Sequence, residues 1–409
     1  MKKTLLALSI LAAGMTAANA AELYNQDGTS FSIDGSVNAN AAFGSSSQDQ
    51  SNAYGNTTNV WNGTNNGGDV LDQSWFNFKP TAKSYFNGKD GWYGIGHAYI
   101  RFFENSTSVR EIWAGIGNDQ YGQLYYGKAY TPWNDIASAY DLSLNYSGGS
   151  YADPMPFSIG TRSNNQFKYI GSFDNLSVEL GAVLGNKGGS WKDDLSNTGS
   201  GMTTSVTGGA TYAFGDSGFT GYLAGYYAKL KLNEATGFTN GIANAITENN
   251  KLNIAGGALG LNYQGDAFGF TLQPMAGKGI TSGNGLYDGN QAGFTSSTFT
   301  ADTLNPNDFV PVAKANFISL LSNVSYQVDK TVFVVQYEYG RYSDIDTNKL
   351  GSNYRGDKDQ TFNNTILANV NYLWNKQFST GLEYQYDLLK KDSPYHIGSG
   401  AWAQAVYNF

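Results

Sequence analysis

Gly215-Asp-Ser-Gly218 has the spacing of a serine nucleophile on a sharp turn. Such a serine needs a base, usually histidine, within hydrogen-bond reach. The chain has two histidines, His97 and His396; the first falls within a strand pattern and the second in the last outer loop, so neither is expected beside Ser217. Gly, Asp and Ser are also the residues a tight turn selects, and a turn is the expectation. Asp344, Asp346 and Asn348 open a calcium-loop spacing, but Lys349 stands where that loop needs glycine and no glutamate follows at the right offset. No catalytic set, metal site or cofactor is expected, and the absence of cysteine removes thiol chemistry.

Charge in this chain follows another pattern. Lys79, Lys83, Arg101, Arg162 and Lys168 alternate with aromatic and aliphatic residues at period two. Basic groups spaced along one wetted face act on passing ions and polar solutes through their field, without bond chemistry. The elements that would hold them are strands. In 378–388, Phe378, Leu382, Tyr384, Tyr386 and Leu388 share one face, and Ser379, Gly381, Glu383, Gln385 and Asp387 share the other. The same alternation sets Phe333, Val335, Tyr337 and Tyr339 against Gln336 and Glu338, and Leu176, Val178, Leu180, Ala182 and Leu184 against Ser177 and Glu179. A packed core would penalise the carboxylates, whereas lipid on one side and water on the other accommodates both faces.

Extended along the chain, the alternation predicts strands near 30–43, 72–87, 92–104, 109–118, 121–128, 165–173, 176–186, 202–214, 219–232, 252–263, 267–280, 314–328, 331–342, 362–374, 377–390 and 398–409. The faces of 219–232 stay unassigned. Short turns such as Asp174-Asn175 and Asp329-Lys330 alternate with longer polar segments such as 44–71, 129–164, 233–251, 281–313 and 343–361. About 16 antiparallel strands with short turns on one side and long loops on the other describe an all-β transmembrane barrel.

Both ends of the chain agree with that reading. Lys2-Lys3, an apolar stretch from Leu5 to Leu11 and Ala18-Asn19-Ala20 read as a signal peptide over residues 1–20, leaving a barrel domain over 21–409. At the other end, Tyr407, Ala405, Ala403 and Ala401 alternate with Asn408 and Gln404 up to a terminal Phe409. Charged residues make up 14%, against roughly 25% in ordinary soluble domains; Asn, Ser, Gly and Tyr take their place. The net charge is −8, and cleavage after Ala20 would remove two lysines and no acid, so nucleic acid is not an expected partner.

Particular stretches resemble a known family. Ala21-Glu-Leu-Tyr-Asn-Gln-Asp-Gly28 with Ile33-Asp-Gly35, the run Arg110 to Gly117, Tyr121 to Lys128 and the aromatic C-terminus are similar to the trimeric general porins of enterobacteria. The resemblance implies a homotrimer in the bacterial outer membrane, in contact with lipid and lipopolysaccharide, with the third outer loop (129–164) folded into each lumen as a constriction. It further implies loop carboxylates facing basic wall residues. Asp141 matches one loop carboxylate and the second falls near Asn145, while Arg110 matches a basic wall residue. Two other basic positions are occupied here by Ser36 and Trp75, so the field across the pore is expected to be weaker. Lys79, Arg101, Arg162 and Lys168 remain as lumen-facing cations.

The expected function is therefore passive diffusion of ions and small hydrophilic solutes through a weakly cation-selective channel, not an enzyme. One alternative is a sugar-selective channel with Trp75, Trp133 and Tyr146 stacking on pyranose rings; another is a plugged-barrel adhesin or enzyme. Small outward residues, Val37, Ala39 and Ala41, then Gly94, Gly96 and Ala98, then Ala401, Ala403 and Ala405, mark the expected trimer contact.

Overall fold

The computed structural model describes residues 21–44, 70–88, 90–104, 106–144, 150–151, 154, 157–185, 200–232, 251–280, 314–345, 358–390, 393 and 398–409. Residues 1–20, Asn145, Tyr146, Asp346, Asn348, Lys349 and His396 lie outside them.

The strands in chain order are β1 (Ala21–Gln26), β2 (Thr29–Gly44), β3 (Leu71–Asp72), β4 (Trp75–Tyr85), β5 (Trp92–Phe103), β6 (Thr107–Asn118), β7 (Gly122–Tyr130), β8 (Arg162–Phe173) and β9 (Leu176–Leu184). They continue as β10 (Ser200–Ala213), β11 (Phe219–Leu232), β12 (Lys251–Gln264), β13 (Phe268–Ile280), β14 (Lys314–Val328), β15 (Thr331–Ser343), β16 (Gln360–Leu373), β17 (Phe378–Asp387) and β18 (Gly400–Asn408). Among the described residues, β2 and β4 to β18 form a closed antiparallel barrel of sixteen strands. Pairing of β18 with β2 shuts the circle, with Ala403 opposite Ala41 and Ala405 opposite Ala39. No helix among the described residues is long and apolar enough to cross a membrane; here the strands cross, paired edge to edge around the closed barrel.

The expected strands and the observed ones agree closely: 219–232 is β11 and 314–328 is β14 without adjustment. The turns follow from local chemistry. Asp174 and Asp329 take φ of 50° and 49°, and Asp27-Gly28 has positive φ at both positions, the geometry that lets a two-residue hairpin match strand twist. Gly28 is also compulsory on space, since a Cβ there would collide with the carbonyl of Gly88.

Two short strands were not expected. β1 pairs with the start of β2 through a bulge at Leu23 and is exposed along its whole length, so no buried face imposes alternation on it. Phe409 exchanges backbone hydrogen bonds with Gly35, so β18 and β1 lie end to end along the same edge of β2. β3 is only two residues long, paired with Ala41 and Ala42.

The outward face carries Leu223, Leu259, Leu382, Val335 and Tyr384, all exposed, as contact with lipid requires. Exposed rings gather near the short-turn end, where Trp92 neighbours Tyr121 at 6.5 Å and Tyr372 meets Trp374 at 4.7 Å, the place of an interfacial girdle. The main apolar cluster is inside the barrel. Trp133, Ile136, Ala137, Tyr151 and Ile159 from the segment between β7 and β8 pack on Tyr222, Tyr226, Ile254, Met275 and Phe317 of the wall. That arrangement assigns the faces of β11: Tyr222, Ala224, Tyr226 and Ala228 turn inward beneath the segment, while Leu223 and Tyr227 are exposed. Both faces are apolar because both are covered, one by lipid and one by protein.

Candidate functional site in the barrel lumen

The segment between β7 and β8 begins with a short helix, α1 (Pro132–Ala137), followed by α2 (Phe157–Gly160). Thr131 caps α1 by accepting from the Asn134 amide, and proline occupies the first turn, where its missing N–H costs nothing. The Thr131 hydroxyl donates to the Ile159 carbonyl at 2.7 Å, and the Asn134 side-chain amide donates to the Gly160 carbonyl at 3.1 Å. The Trp133 indole N–H donates to the Tyr151 carbonyl at 3.0 Å. These bonds tie the two ends of the segment together.

One side of the barrel wall is shaped to receive this segment. Inward-facing side chains from five successive strands, β13 to β17, take up its backbone groups, in strand order from Ala137 to Leu144. Gln273 donates to the Ala137 carbonyl (2.9 Å), Asn323 to the Tyr140 carbonyl (2.6 Å) and Asn369 to the Leu142 carbonyl (2.9 Å). Gln336 accepts from the Leu142 amide (2.9 Å), Glu383 from the Leu144 amide (2.7 Å) and Glu338 from the Ser150 amide (3.1 Å). Carboxylates accepting backbone N–H groups give charge-assisted bonds, about twice as strong as neutral ones. Glycines provide clearance. A Cβ at Gly181 would lie 2.8 Å from Pro132 Cδ, one at Gly209 2.5 Å from Ile136 Cδ1, and one at Gly381 2.7 Å from Leu144 Cδ1. Gly279 makes the same close approach to the Pro154 carbonyl.

Across the barrel, β2, β4, β5, β6 and β8 carry a basic and aromatic wall. Ser36 Oγ accepts from the side-chain amides of Asn38 (2.7 Å) and Asn77 (2.8 Å). Asn77 Oδ1 accepts from Arg101 Nε (2.9 Å) and the Tyr99 hydroxyl (3.1 Å), and Arg101 Nη2 donates to Tyr99 at 2.7 Å. The Arg101 guanidinium lies 4.6 Å from the Trp75 ring centre, and Lys79 Nζ is 5.0 Å from that of Tyr99. Arg110 occupies a bulge, since Glu111 opposes Tyr99 while Val109 already opposes Ile100; a bulge re-aims a side chain, and here it brings Arg110 within electrostatic reach of Arg101 and Arg162. Arg162 is buried near the Tyr130 ring.

The expected site residues therefore separate into groups. Ser36, Trp75, Lys79 and Arg101 share one polar network with its ring contacts, and Arg110 and Arg162 flank it. Asp141 lies on nearly the opposite side, accepting from the Ser143 amide (3.0 Å), the Ser143 hydroxyl (2.8 Å), Gln336 of β15 (2.7 Å) and the Tyr151 hydroxyl (3.2 Å). Lys168 belongs to neither group; it is buried in ion pairs with Asp135 of α1 and Glu179 of β9. Asp135 and the receiving amides of β13 to β17 were not singled out from sequence. Their signal is present only as Asn, Gln and Glu at inward positions of consecutive strands. His97 bonds to Thr81 at 2.8 Å and stacks 5.1 Å from Trp113; Ser217 closes the turn between β10 and β11 by accepting from the Phe219 amide. The two never meet.

No family model matches the chain. It is 32% identical over 241 residues to outer membrane protein U of Vibrio vulnificus (56% of this chain), spanning only 61% of that relative's length. It is 31% identical over 290 residues to outer membrane protein U of Vibrio parahaemolyticus, covering 65% of this chain and 76% of that one. Among solved structures, OmpF of Salmonella typhi, in complex with daunomycin, superposes with a TM-score of 0.67 at 17% identity, over 95% of this chain and all of that one.

Proposed function

Because the chain belongs to the bacterial outer-membrane porins, we propose that its barrel is a water-filled channel for passive diffusion of ions and small hydrophilic solutes, without catalysis. The observation that carries this is the unequal use of the lumen: one wall is bonded to the segment 129–164, and the opposite wall presents arginines and amides. A lumen narrowed from one side screens by size and biases by charge. The constriction is assigned to Asp141, Asn145, Arg110, Trp75, Ser36, Lys79, Arg101 and Arg162, with Lys168 acting from beneath α1. Weak cation selectivity follows from the acidic net charge, offset in part by the three arginines.

Saturable sugar binding is the less supported reading. Trp113 and Tyr125 spend a face on each other at 4.0 Å, Trp75 carries Arg101, and Trp133 is buried, leaving few open ring faces among the described residues. The chain is an outer-membrane barrel, exported by residues 1–20. It assembles as a homotrimer through the small-residue wall, where Ala39, Ala41, Ala403, Ala405 and Leu382 line an outer cleft of about 780 Å³.

Step conductance in a planar lipid bilayer is the test. The parent should give open steps in 1 M salt and a reversal potential weakly favouring potassium over chloride at low salt. Arg101→Ser should move that potential further toward cations at low salt and much less at 1 M, where screening extends only about 3 Å. A parent with no steps, or one clearly preferring chloride, would sink the reading.

A further inference from the structure

We infer that Lys168 is a positioning residue, a buried ammonium that holds α1 to the barrel wall and thereby sets the aperture; this rests on reading 129–164 as the constriction. Lys168 sits on β8 with its side chain 2% exposed. Its Nζ touches Asp135 on α1, lies 2.8 Å from Glu179 Oε2 on β9 and donates to the Tyr130 carbonyl at 3.4 Å. The other titratable groups facing this cluster are Tyr125 on β7 and Glu111 on β6, the latter also within electrostatic reach of Lys79 on β4. A buried lysine is costly unless it is paired, and this one is paired across the junction between the wall and the inserted helix.

Carboxylates outnumber the ammonium in the cluster. Removing the lysine leaves Asp135, whose side chain is 32% exposed, within electrostatic reach of Glu179 and Glu111, where like charges repel. Glu179 and Glu111 are fixed in the barrel, so the group that yields is Asp135, and α1 moves with it. Protonation can substitute for the missing cation. Without Lys168, α1 should seat only when a carboxylate takes up a proton; with it, seating should be independent of pH.

Single-channel recording of the full-length chain with Lys168→Met and Lys168→Arg provides the test. Lys168→Met should lose the quiet parental step at alkaline pH, replacing it with a flickering, altered conductance that returns toward parental as the pH is lowered. Lys168→Arg should retain a quiet step with no such pH dependence. A Lys168→Met channel with quiet parental steps at every pH would overturn the inference and leave the pore reading intact. A parent without steps would refute both. If Lys168→Met does not assemble, Asp135→Asn decides: loss of the helix-side anchor should produce flicker that acid does not cure, and a quiet step would overturn the inference.

Discussion

Replacing Leu259 by Arg is expected to cost the barrel about 2–4 kcal/mol, the penalty for a cation on the lipid face near mid-membrane. Leu259 is 64% exposed and lies midway along β12, opposite Leu223 of β11. Both side chains point to hydrocarbon, where a guanidinium finds no counter-charge. Urea titration of the protein refolded into lipid vesicles, read by heat-modifiable mobility in a gel, should show the loss as an earlier midpoint. Gln404→Arg, one turned to the lumen on β18 opposite Asn40, should leave the midpoint near the parent's. Equal midpoints for Leu259→Arg and the parent would contradict the inside-out distribution of side chains described for this wall.

Trp133→Ala is the second large effect, and it acts on the inserted segment. The indole is fully buried, edge-on to Tyr226 at 5.0 Å and bonded to the Tyr151 carbonyl. Truncating a buried tryptophan costs about 3–5 kcal/mol, and here the loss falls on docking of α1, because the barrel ladder does not depend on it. The expected result is a larger, noisier step conductance and new protease cleavage within 131–163, with the urea midpoint of the barrel almost unchanged. A parental step and an uncut segment would show that α1 is held without its tryptophan.

The barrel was legible because two solvents write on alternate residues. In β17, Leu382, Tyr384 and Tyr386 against Glu383, Gln385 and Asp387 leave only one register that keeps carboxylates out of lipid, and the strand was found within a few residues. Where one of those solvents is replaced by protein, the strand stays legible but its faces do not: β11 is apolar on both because α1 covers its inner one. The lumen position of Lys168 followed from alternation, but its neutralisation did not. Its partners lie 33 residues upstream and 11 downstream, and nothing local to Asp135 or Glu179 announces that they converge. Asp141 shows the same limit. The family resemblance implies a loop carboxylate at Asp141 facing a basic wall, which on its own would make Asp141→Asn a change of charge alone. With four donors directed at its two oxygens, the substitution also disturbs how Ser143, Tyr151 and Gln336 hold the loop. A shift in selectivity from that variant would therefore mix charge with geometry, whereas Arg101→Ser reports more directly on the field.

The glycines at 181, 209, 279 and 381 have a consequence for anyone reshaping this channel. They make the wall a mould cast around one particular loop, so a loop grafted from another barrel would meet hollows fitted to Pro132, Ile136, Pro154 and Leu144, and would rattle unless it brought the same contours. Pore diameter in this scaffold is thus a property of loop and wall as a matched set, and engineering one half calls for recutting the other.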